Sequence, residues 1–580
     1  MPHEVLTPAE ARGSASKNRL RQYPGAKRGR ERLLPFAQPQ IKTALAFPEG
    51  AKFFVAGNCF GRNVEKALAK AGRSYLSSPR DLDLPGSATQ QYNRYNIFNL
   101  DVSTNEVAWA VDPSAPSPDD ALIQVGDEWV DLQIHLTFAH ELETARAYRK
   151  EYNTSYSGIA DADVVILSNS GIEQWYDAKT GLYLNGMPSA KMTAQEPNRY
   201  EFHRLDVEAC EMSFRRAIEI VLANTRVSPI ILLAVSPVAR PFVYGQNDAL
   251  IENYLAKSCQ NVAAQNVCRD YAQVEYLPSL EFAMLSDFKF AYQTTSPNHS
   301  TQGHANRVVA EMLLRYEGES PGYHTLNAIG QVEALISAEE YDQAVNVAED
   351  ALESGALRSV DFDFHYSQAL MRAKQRTRAA DWLVGRLDEA HGNDKDKVFR
   401  LATNIVRSYG TQEQIDTLIA YAKTNGVEEG AIEQLQNAMA SRPKTVAQSI
   451  DASAVASIVT LFRARDFEST ATEIEKVFKR PDVTEATINR LLPLLIQSYM
   501  NTNRHQSAME QLLDEIERNE TPMPRWITLL VRLAASRADI AIIDRILSNR
   551  DKMDDVVDLS ALERRRASLN GKAPDSVLEA

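Results

Sequence analysis

Four short apolar runs, separated by long helical stretches, restrict the possible folds of residues 46–320 more than any other feature. Each run has the length and composition of a buried strand, and the four are residues 53–56, 164–167, 230–235 and 274–277. Residues 139–152 and 205–223 between them carry apolar side chains at helical spacing. Strands that alternate with crossover helices predict an α/β domain with a mostly parallel sheet, covered on both faces, whose site lies at the carboxyl ends of the strands.

A cysteine follows the first of these runs. Gly57 allows a sharp turn there, and residues 63–70 predict a helix that ends at Gly72. Cys59 therefore lies close to a helix N-terminus, where free backbone N–H groups and the helix dipole stabilise a thiolate. A nucleophile at such a turn can also use neighbouring N–H groups as an oxyanion hole. The alternative is a buried structural cysteine that packs beneath the turn.

The turn reads Gly57-Asn58-Cys59-Phe60-Gly61. This run resembles the signature of the GSCFA family, which belongs to the SGNH-hydrolase-like group. The resemblance covers residues 50–315 and implies an SGNH-like (flavodoxin-like) α/β fold. Four further blocks occur in the same order: a strand with a Glu-x-Trp segment, a strand ending in Val-Ser-Pro, a Tyr-x-Pro-Ser-x-Glu run and an Asn-His-Ser motif, at residues 163–176, 231–237, 276–281 and 298–300.

Two departures from the family pattern affect the predicted chemistry. The serine that follows the first glycine of the signature is Asn58 here, and alignment on the Gly-Asp-Ser of SGNH hydrolases places Cys59 at the nucleophile position. The aspartate that SGNH hydrolases carry three residues before the catalytic histidine corresponds to Ser296. The resemblance therefore implies a catalytic pair of Cys59 and His299 without a carboxylate orienter. His304 is the competing histidine, and His135 and His140 are outside the main prediction.

The resemblance also implies which residues surround the reacting group. In SGNH hydrolases the oxyanion donors are the backbone N–H of the nucleophile, a glycine and an asparagine. The Glu-x-Trp segment adds a tryptophan that could stack on a sugar ring, although asparagines are also common in turns and a core tryptophan is the simpler alternative. The predicted oxyanion and substrate-binding residues are Asn58, Asn93, Asn96, Ser170, Gly171, Glu173 and Trp175.

Composition excludes several classes of function. A net charge of −14 argues against general binding to nucleic acid or to anionic membranes. No apolar run reaches the roughly 18 residues of a membrane span, and the first residues lack the apolar core of a secretory signal. A cytoplasmic protein of bacterial type is therefore expected. The four cysteines suit neither a disulfide framework nor a zinc site. No metal and no required cofactor is predicted, and acyl-CoA is a candidate acyl donor.

The two ends of the chain differ from this central part. Residues 1–45 are basic and poor in apolar residues, which predicts a disordered tail, with an electrostatic tether to an anionic partner as the alternative. Beyond residue 320, strand-like runs disappear, and related helical patterns recur at residues 341–348, 377–383, 412–419, 467–474, 505–512 and 538–546. Ala344 and Ala380 lie 36 residues apart, and Ala380 and Ile415 lie 35 apart.

Periods of this length are typical of helix-pair repeats. The sequence thus predicts a tetratricopeptide-like solenoid over residues 321–570 that binds a partner protein, followed by a frayed end at residues 571–580. An irregular helical bundle is the alternative.

Two functions follow from these observations. In the first, residues 46–320 form an esterase or O-acetyltransferase that acts on a glycan or polysaccharide precursor through Cys59 and His299. In the second, the domain is catalytically inactive and serves as a carbohydrate-binding or partner-binding scaffold, with the helical repeats as its interaction surface.

Overall fold

The computed structural model of the 580-residue chain describes residues 4–25, 29–77, 93–135, 139–392, 394–425, 465–480, 485–518, 524–553 and 557–569, with isolated positions between 426 and 464. The predicted frayed end, residues 571–580, lies outside the described residues. The chain forms two compact units, Met1–Ala440 and Ser441–Ala580. The first contains the described strands together with several helical hairpins, and the second contains described helices.

The strands of the first unit form one parallel sheet and two small antiparallel ones. They are β1 (Phe53–Ala56), β2 (Leu122–Val125), β3 (Glu128–Asp131), β4 (Val164–Asn169), β5 (Glu173–Asp177), β6 (Leu182–Leu184), β7 (Tyr200–Arg204), β8 (Ile230–Val235) and β9 (Val274–Leu277). The parallel sheet has the order β1-β4-β8-β9. Tyr75 adds a parallel bridge to Phe53 on the outer edge of β1, which gives the 2-1-3-4-5 order of flavodoxin-like folds.

The helices described in this part are α1 (Pro8–Lys17), α2 (Cys59–Lys70), α3 (Leu100–Val111), α4 (Leu142–Tyr156), α5 (Ala190–Gln195), α6 (Val207–Asn224), α7 (Ala249–Val267), α8 (Ser279–Met284), α9 (Phe288–Ala291) and α10 (Gln302–Tyr316). Among them, α2 and α10 pack on one face of the parallel sheet, and α3, α4, α6 and α7 pack on the other. Alternate residues of each central strand enter two separate apolar cores: Phe53 and Val55 pack with α2 and α10, whereas Phe54 packs with α3, α4, α6 and α7. The sheet is therefore buried on both sides.

The predicted α/β class and parallel sheet are confirmed, and all four apolar runs are strands of that sheet. The sequence analysis did not identify the smaller sheets. These are the hairpin β2–β3 and the three-stranded sheet β6-β5-β7, both antiparallel. They interrupt the simple alternation of strand and helix because β5 begins only a few residues after β4.

The N-terminal segment differs from the predicted disordered tail. Helix α1 is exposed along its whole length and begins with a capping box at Thr7. From Phe36 onward the segment is part of the folded body, since Phe36, Ala37 and Phe47 are buried. The buried guanidinium of Arg307 donates to the Ala37 carbonyl at 2.5 Å and lies over the ring of Phe36. Apolar residues near the end of the basic stretch thus attach it to α10.

Helices α11 (Pro321–Ser337) to α16 follow in the first unit as antiparallel hairpins. The others are α12 (Tyr341–Glu353), α13 (Val360–Arg372), α14 (Arg376–Arg386), α15 (Asp394–Tyr409) and α16 (Gln412–Thr424). Helix α11 crosses α10 at a contact between two glycines, because a Cβ on Gly303 would lie 2.3 Å from the Gly330 carbonyl oxygen. No side chain fits at this crossing, so the first hairpin packs directly on the last helix of the α/β part.

The second unit contains α17 (Phe467–Phe478), α18 (Glu485–Asn501), α19 (His505–Arg518), α20 (Pro524–Arg537), α21 (Ile540–Ser548) and α22 (Ser560–Leu569). Four turns in the two helical parts share one geometry. Each places a non-glycine residue at positive φ two positions before a helix, and the next backbone N–H bonds the carbonyl five residues back; the four residues are Glu339, Lys374, Arg465 and Asn503.

This repeated turn supports a helix-pair repeat, since Glu339 and Lys374 are 35 residues apart. The tetratricopeptide type and the boundaries at residues 45, 320 and 570 remain predictions. Within the described part of the chain, no helix combines the length and the apolar character that a membrane crossing requires.

Candidate active site

Cys59 lies beyond the carboxyl end of β1, in the first turn of α2. The helix begins at Cys59 rather than at the predicted residue 63, because the Asn58 side chain caps it by accepting the Phe60 backbone N–H at 3.0 Å. The cysteine is half-buried. Burial raises the pKa of the thiol, whereas the backbone N–H groups of Phe60 and Cys59 and the charge of Lys257 act to lower it. A half-exposed thiol at a helix N-terminus is suited to nucleophilic attack.

Asn58 is buried and its side chain is fully engaged within the protein. Besides capping α2, it donates to Ser236 Oγ at 3.1 Å, and Ser236 follows β8. This bond ties the turn after β1 to the turn after β8. Asn58 therefore positions the start of α2. Its side-chain bonds are all to other parts of the protein, and they do not support the substrate contact that was predicted for it.

Gly57 permits the close approach of neighbouring segments to the turn. A Cβ at this position would lie 2.7 Å from the Ser168 Cβ, so only glycine fits beside β4. The Gly57 carbonyl accepts the Ile97 backbone N–H at 3.0 Å. The predicted asparagines, Asn93 and Asn96, belong to the turn just before Ile97, and Asn96 is buried. The structure thus brings this turn to Gly57, two residues before Cys59, and the substrate contact predicted for Asn93 and Asn96 stays a prediction.

Ser170 and Gly171 follow β4 at the same edge of the sheet. Ser170 is occupied by internal bonds: its hydroxyl donates to the Phe98 carbonyl at 2.6 Å, and its backbone N–H donates to Asn169 Oδ1 at 2.8 Å. Gly171 faces the guanidinium of Arg240, whose Nε would lie 3.1 Å from a Cβ at this position. The hydroxyl and the backbone N–H of Ser170, one of these two predicted donors, are therefore both used in hydrogen bonds within the fold.

Glu173 supports the loop after β8. The buried carboxylate accepts the backbone N–H groups of Tyr244 and Gly245, both at 3.1 Å, and lies 3.6 Å from Arg240 Nη1. These bonds fix the loop and orient Arg240 toward Gly171. The contacts favour a positioning role for Glu173 over the substrate contact that was predicted for it.

Trp175 lies on β5 in an aromatic cluster on the antiparallel sheet. Its ring centroid is 5.2 Å from that of Phe202 and 5.5 Å from that of Tyr244. Among the contacts of the described residues, none joins Trp175 to Cys59. Its predicted stacking on a sugar ring remains a prediction, and packing on neighbouring aromatic rings accounts for its position.

His299 lies in the loop before α10, on the same edge of the sheet. The Ala239 N–H bonds the Asn298 carbonyl at 3.0 Å, and Gln302 Nε2 donates to the Asn63 carbonyl at 2.9 Å, so the loop is tied both to the segment after β8 and to α2. No hydrogen bond joins the side chains of Cys59 and His299, both of which are described. The competitor His304 is fully buried against Phe60, and burial lowers its pKa to about 3, which keeps its ring neutral.

Ser296 occupies the position of the missing carboxylate orienter. Its hydroxyl lies 2.9 Å from His299 Nδ1 and donates to Asn298 Oδ1 at 3.0 Å. Because the hydroxyl proton is used on Asn298, the same oxygen can accept a proton from Nδ1–H. The neutral imidazole then keeps its lone pair on Nε2, which is the tautomer that a general base requires.

Lys257 is a site residue that the sequence analysis missed. It is the one buried lysine among those described, and its Nζ donates to the carbonyls of Ser170 at 2.6 Å and Val238 at 2.8 Å. Burial, reinforced by the charge of Arg240, lowers the pKa of Lys257 to about 7 against the opposing effect of Cys59. The signal in the sequence was a lysine on the stripe Lys257, Gln260, Ala264 and Val267, whose spacing marks the buried face of α7.

A four-stranded parallel sheet with a half-buried cysteine at a helix N-terminus beyond its carboxyl edge defines a flavodoxin-like α/β domain with a site at that edge. Residues 52–308 match the GSCFA family, and the α/β part of this chain is a GSCFA family domain. The resemblance noted in the sequence is confirmed with similar bounds. None of the curated proteins compared with the chain matches it.

Proposed function

We propose that the GSCFA domain is an acyl-transfer enzyme of the esterase or O-acetyltransferase type, with Cys59 as its nucleophile. The observation that carries this proposal is the position of the thiol, half-buried in the first turn of α2. Attack on an acyl carbonyl requires a thiolate; burial raises the pKa of the thiol, whereas the N–H groups of the helix N-terminus and the charge of Lys257 act to lower it. The substrate that we propose is a glycan or polysaccharide precursor in the cytoplasm, which is either an acylated sugar that is hydrolysed or the acceptor of an acyl group, with acyl-CoA as the candidate donor.

The proposed reaction has two steps. In the first, the Cys59 thiolate attacks the acyl carbonyl, the bond from that carbon to the leaving oxygen or sulfur breaks, and the leaving group takes up a proton from protonated His299. The acyl group is then held on Cys59 as a thioester. In the second step, water or a sugar hydroxyl attacks the thioester, its proton passes to His299, and the thiolate leaves.

The oxyanion formed in each step needs hydrogen-bond donors that the fold has not already used. The backbone N–H of Cys59 and that of Gly171 are the two candidates from the predicted set, since Ser170 N–H is bonded to Asn169. Asn96, brought to the turn through the contact of Ile97 with Gly57, is the third. Arg240, held beside Gly171 by Glu173, adds positive charge on the same side.

His299 acts in this proposal as the proton carrier, with Ser296 fixing its tautomer. Its loop must bring Nε2 to the acceptor hydroxyl when substrate is bound, because no hydrogen bond to Cys59 exists in the free enzyme. Catalytic hydrogen bonds are often long or absent without substrate and shorten in the complex.

The same missing bond favours a second candidate function. If His299 never reaches the thiol or the acceptor, the domain is an inactive scaffold that binds a carbohydrate or a partner. The helical hairpins after residue 320 would then provide the main interaction surface for a partner protein.

Trapping of the acyl intermediate tests the proposal. The full-length protein is incubated with acetyl-CoA or a chromogenic acetyl ester and digested, and the peptide masses are measured for the unsubstituted protein and for Cys59→Ala, His299→Ala and the control Cys259→Ala. We expect an acetyl adduct on the Cys59 peptide, lost in Cys59→Ala, unchanged in Cys259→Ala and formed or cleared more slowly in His299→Ala. Absence of both adduct and turnover would favour the scaffold.

A further inference from the structure

The surroundings of Lys257 differ from those expected of a buried lysine. Transfer of an ammonium group into a protein interior is costly unless an opposite charge accompanies it. None of the ion pairs among the described residues includes Lys257, and its two hydrogen-bond partners are neutral carbonyl groups. The ionisable groups that act on it are Arg240, in the loop after β8, and Cys59, on α2. Of these, only the thiol can become negative.

A chain of hydrogen bonds connects Lys257 to the turn that holds Cys59. Its Nζ binds the Val238 carbonyl, the Val238 N–H bonds Ser236 Oγ at 3.2 Å, and Ser236 bonds Asn58, the residue before Cys59. On the other side Nζ binds the carbonyl of Ser170, whose hydroxyl holds the segment next to Ile97. The lysine thus joins the segments after β4 and β8 that enclose the cysteine.

We propose that Lys257 is the counter-charge that sets the ionisation of Cys59, in place of a neighbouring imidazolium. The inference deepens the proposed function, on which its catalytic purpose rests, by naming the group that prepares the nucleophile. Lys257 Nζ makes no hydrogen bond to the Cys59 sulfur, both residues being described, so the lysine acts through space as a positioning residue.

The ionisation of Cys59 and that of Lys257 depend on each other because both groups are at least partly buried. Burial disfavours the thiolate and the ammonium taken separately, whereas the ion pair regains part of that cost through mutual attraction. Arg240 opposes the ammonium but is itself held by Glu173, and Glu252 on α7 is paired with Arg204. The negative charge that Lys257 lacks in the resting fold is therefore supplied by Cys59 when its thiol ionises.

Alkylation of the cysteines measures this ionisation directly. Iodoacetamide reacts with the thiolate, forming a carbon–sulfur bond as iodide leaves, and the extent of reaction at each cysteine peptide is read by mass between about pH 6 and about pH 9. The full-length protein is compared with Lys257→Met, Lys257→Gln, Lys257→Arg and His299→Ala. Cys268, whose charged neighbours are Glu275 and Arg269, is the internal reference, and fully buried Cys210 reports unfolding.

We expect Lys257→Met and Lys257→Gln to slow Cys59 alkylation about tenfold near pH 6, where Lys257 is protonated, and the difference from the unsubstituted protein to shrink above pH about 7 as the lysine loses its proton. Glutamine keeps donors for the two carbonyls but no charge, so an equal effect of both variants identifies the charge as the cause. Lys257→Arg restores the profile, and His299→Ala leaves it unchanged. An unchanged profile in the Met and Gln variants, or a shift caused by His299→Ala instead, would overturn the inference.

If Cys210 becomes reactive in the lysine variants, those variants have unfolded, and the test is then made on the unsubstituted protein. Negatively charged iodoacetate is then compared with neutral iodoacetamide at Cys59 and Cys268. Because Lys257 loses its proton through pH about 7, the preference of Cys59 for iodoacetate should be several-fold near pH 6 and decline by about pH 8. Equal preferences at the two cysteines would overturn the inference. Alkylation needs no acyl donor, so a Lys257-dependent profile without any acetyl adduct would reject the proposed function and leave the inference standing.

Discussion

The α/β domain and the helical hairpins differ in how they accommodate buried charge. In the hairpins, the buried Asp363 on α13 accepts a bond from Arg386 Nε on α14 at 3.0 Å. The α/β domain has comparable pairs, since fully buried Arg149 binds Asp131 at 2.9 Å and also Glu106. It also contains Lys257, which has only carbonyl partners. Paired charges maintain the fold, and under the proposed function the buried lysine without an acidic partner is where charge changes during the reaction.

The largest expected effect tests the distinction between paired and unpaired charges. Arg149→Met and Arg386→Met each leave buried carboxylates without their cationic partner, which should lower the free energy of unfolding by about 3–5 kcal/mol. Lys257→Met removes a charge that has no acidic partner, and its cost should stay within about 1 kcal/mol because the burial penalty of the ammonium disappears with it. Urea unfolding followed by circular dichroism measures all three. A Lys257→Met protein as unstable as Arg149→Met would show that the lysine is structural.

A second prediction compares a glycine at the contact between the two regions with one inside a hairpin. Gly303→Ala would place a methyl group against the Gly330 carbonyl and should destabilise the first unit by about 3 kcal/mol. Gly385→Ala in α14 has no atom within 4 Å and should stabilise by up to about 1 kcal/mol. Thermal unfolding of the two variants provides the comparison. Equal small effects would mean that α10 and α11 are less closely packed than described.

The smallest expected effect concerns the orienter of His299. Ser296→Asp restores the carboxylate that the family pattern leads one to expect, and it should raise acetyl-ester turnover about tenfold by stabilising the imidazolium. Ser296→Ala should lower turnover, and Thr301→Ala, which removes the cap of α10, controls for disturbance of the loop. If neither substitution at Ser296 changes the turnover of the acetyl ester, His299 is excluded as the proton carrier.

Much of the fold followed from the sequence because apolar runs of four to six residues have few alternatives in a buried sheet. All four predicted strands are present, and three of them have the predicted bounds. The turn around Cys59 was placed at the correct edge for the same reason. The start of α2 was wrong by four residues because it depends on the Asn58 side chain turning back onto Phe60, which is one of several conformations open to an asparagine.

The functional surroundings were less predictable because they arise from contacts between distant segments. Lys257 reaches Ser170, 87 residues away along the chain, and no local pattern specifies such a contact. Asn58, Ser170 and Glu173 were predicted as site residues from the family resemblance, and in the structure they bond other segments of the fold. A motif identifies which residues meet at the edge of the sheet, whereas only the hydrogen-bond partners separate those that hold the turn from those that remain available to a ligand.

The attachment of the N-terminal segment to α10 has a practical consequence for obtaining this domain by recombinant expression. Family-matched residues begin at 52 and end at 308, so that fragment would stop inside α10 and omit Phe36 and Phe47. Phe36 covers the buried Arg307 guanidinium on one side and Phe282 on the other, and Phe47 stacks on Tyr316 with ring centroids 4.4 Å apart. A fragment cut at the homology limits would leave the Arg307 guanidinium without Phe36 and the Phe53 ring without Phe47, whose centroid lies 5.5 Å from it. The segment that matches the family is thus shorter than the segment that packs as one folded body.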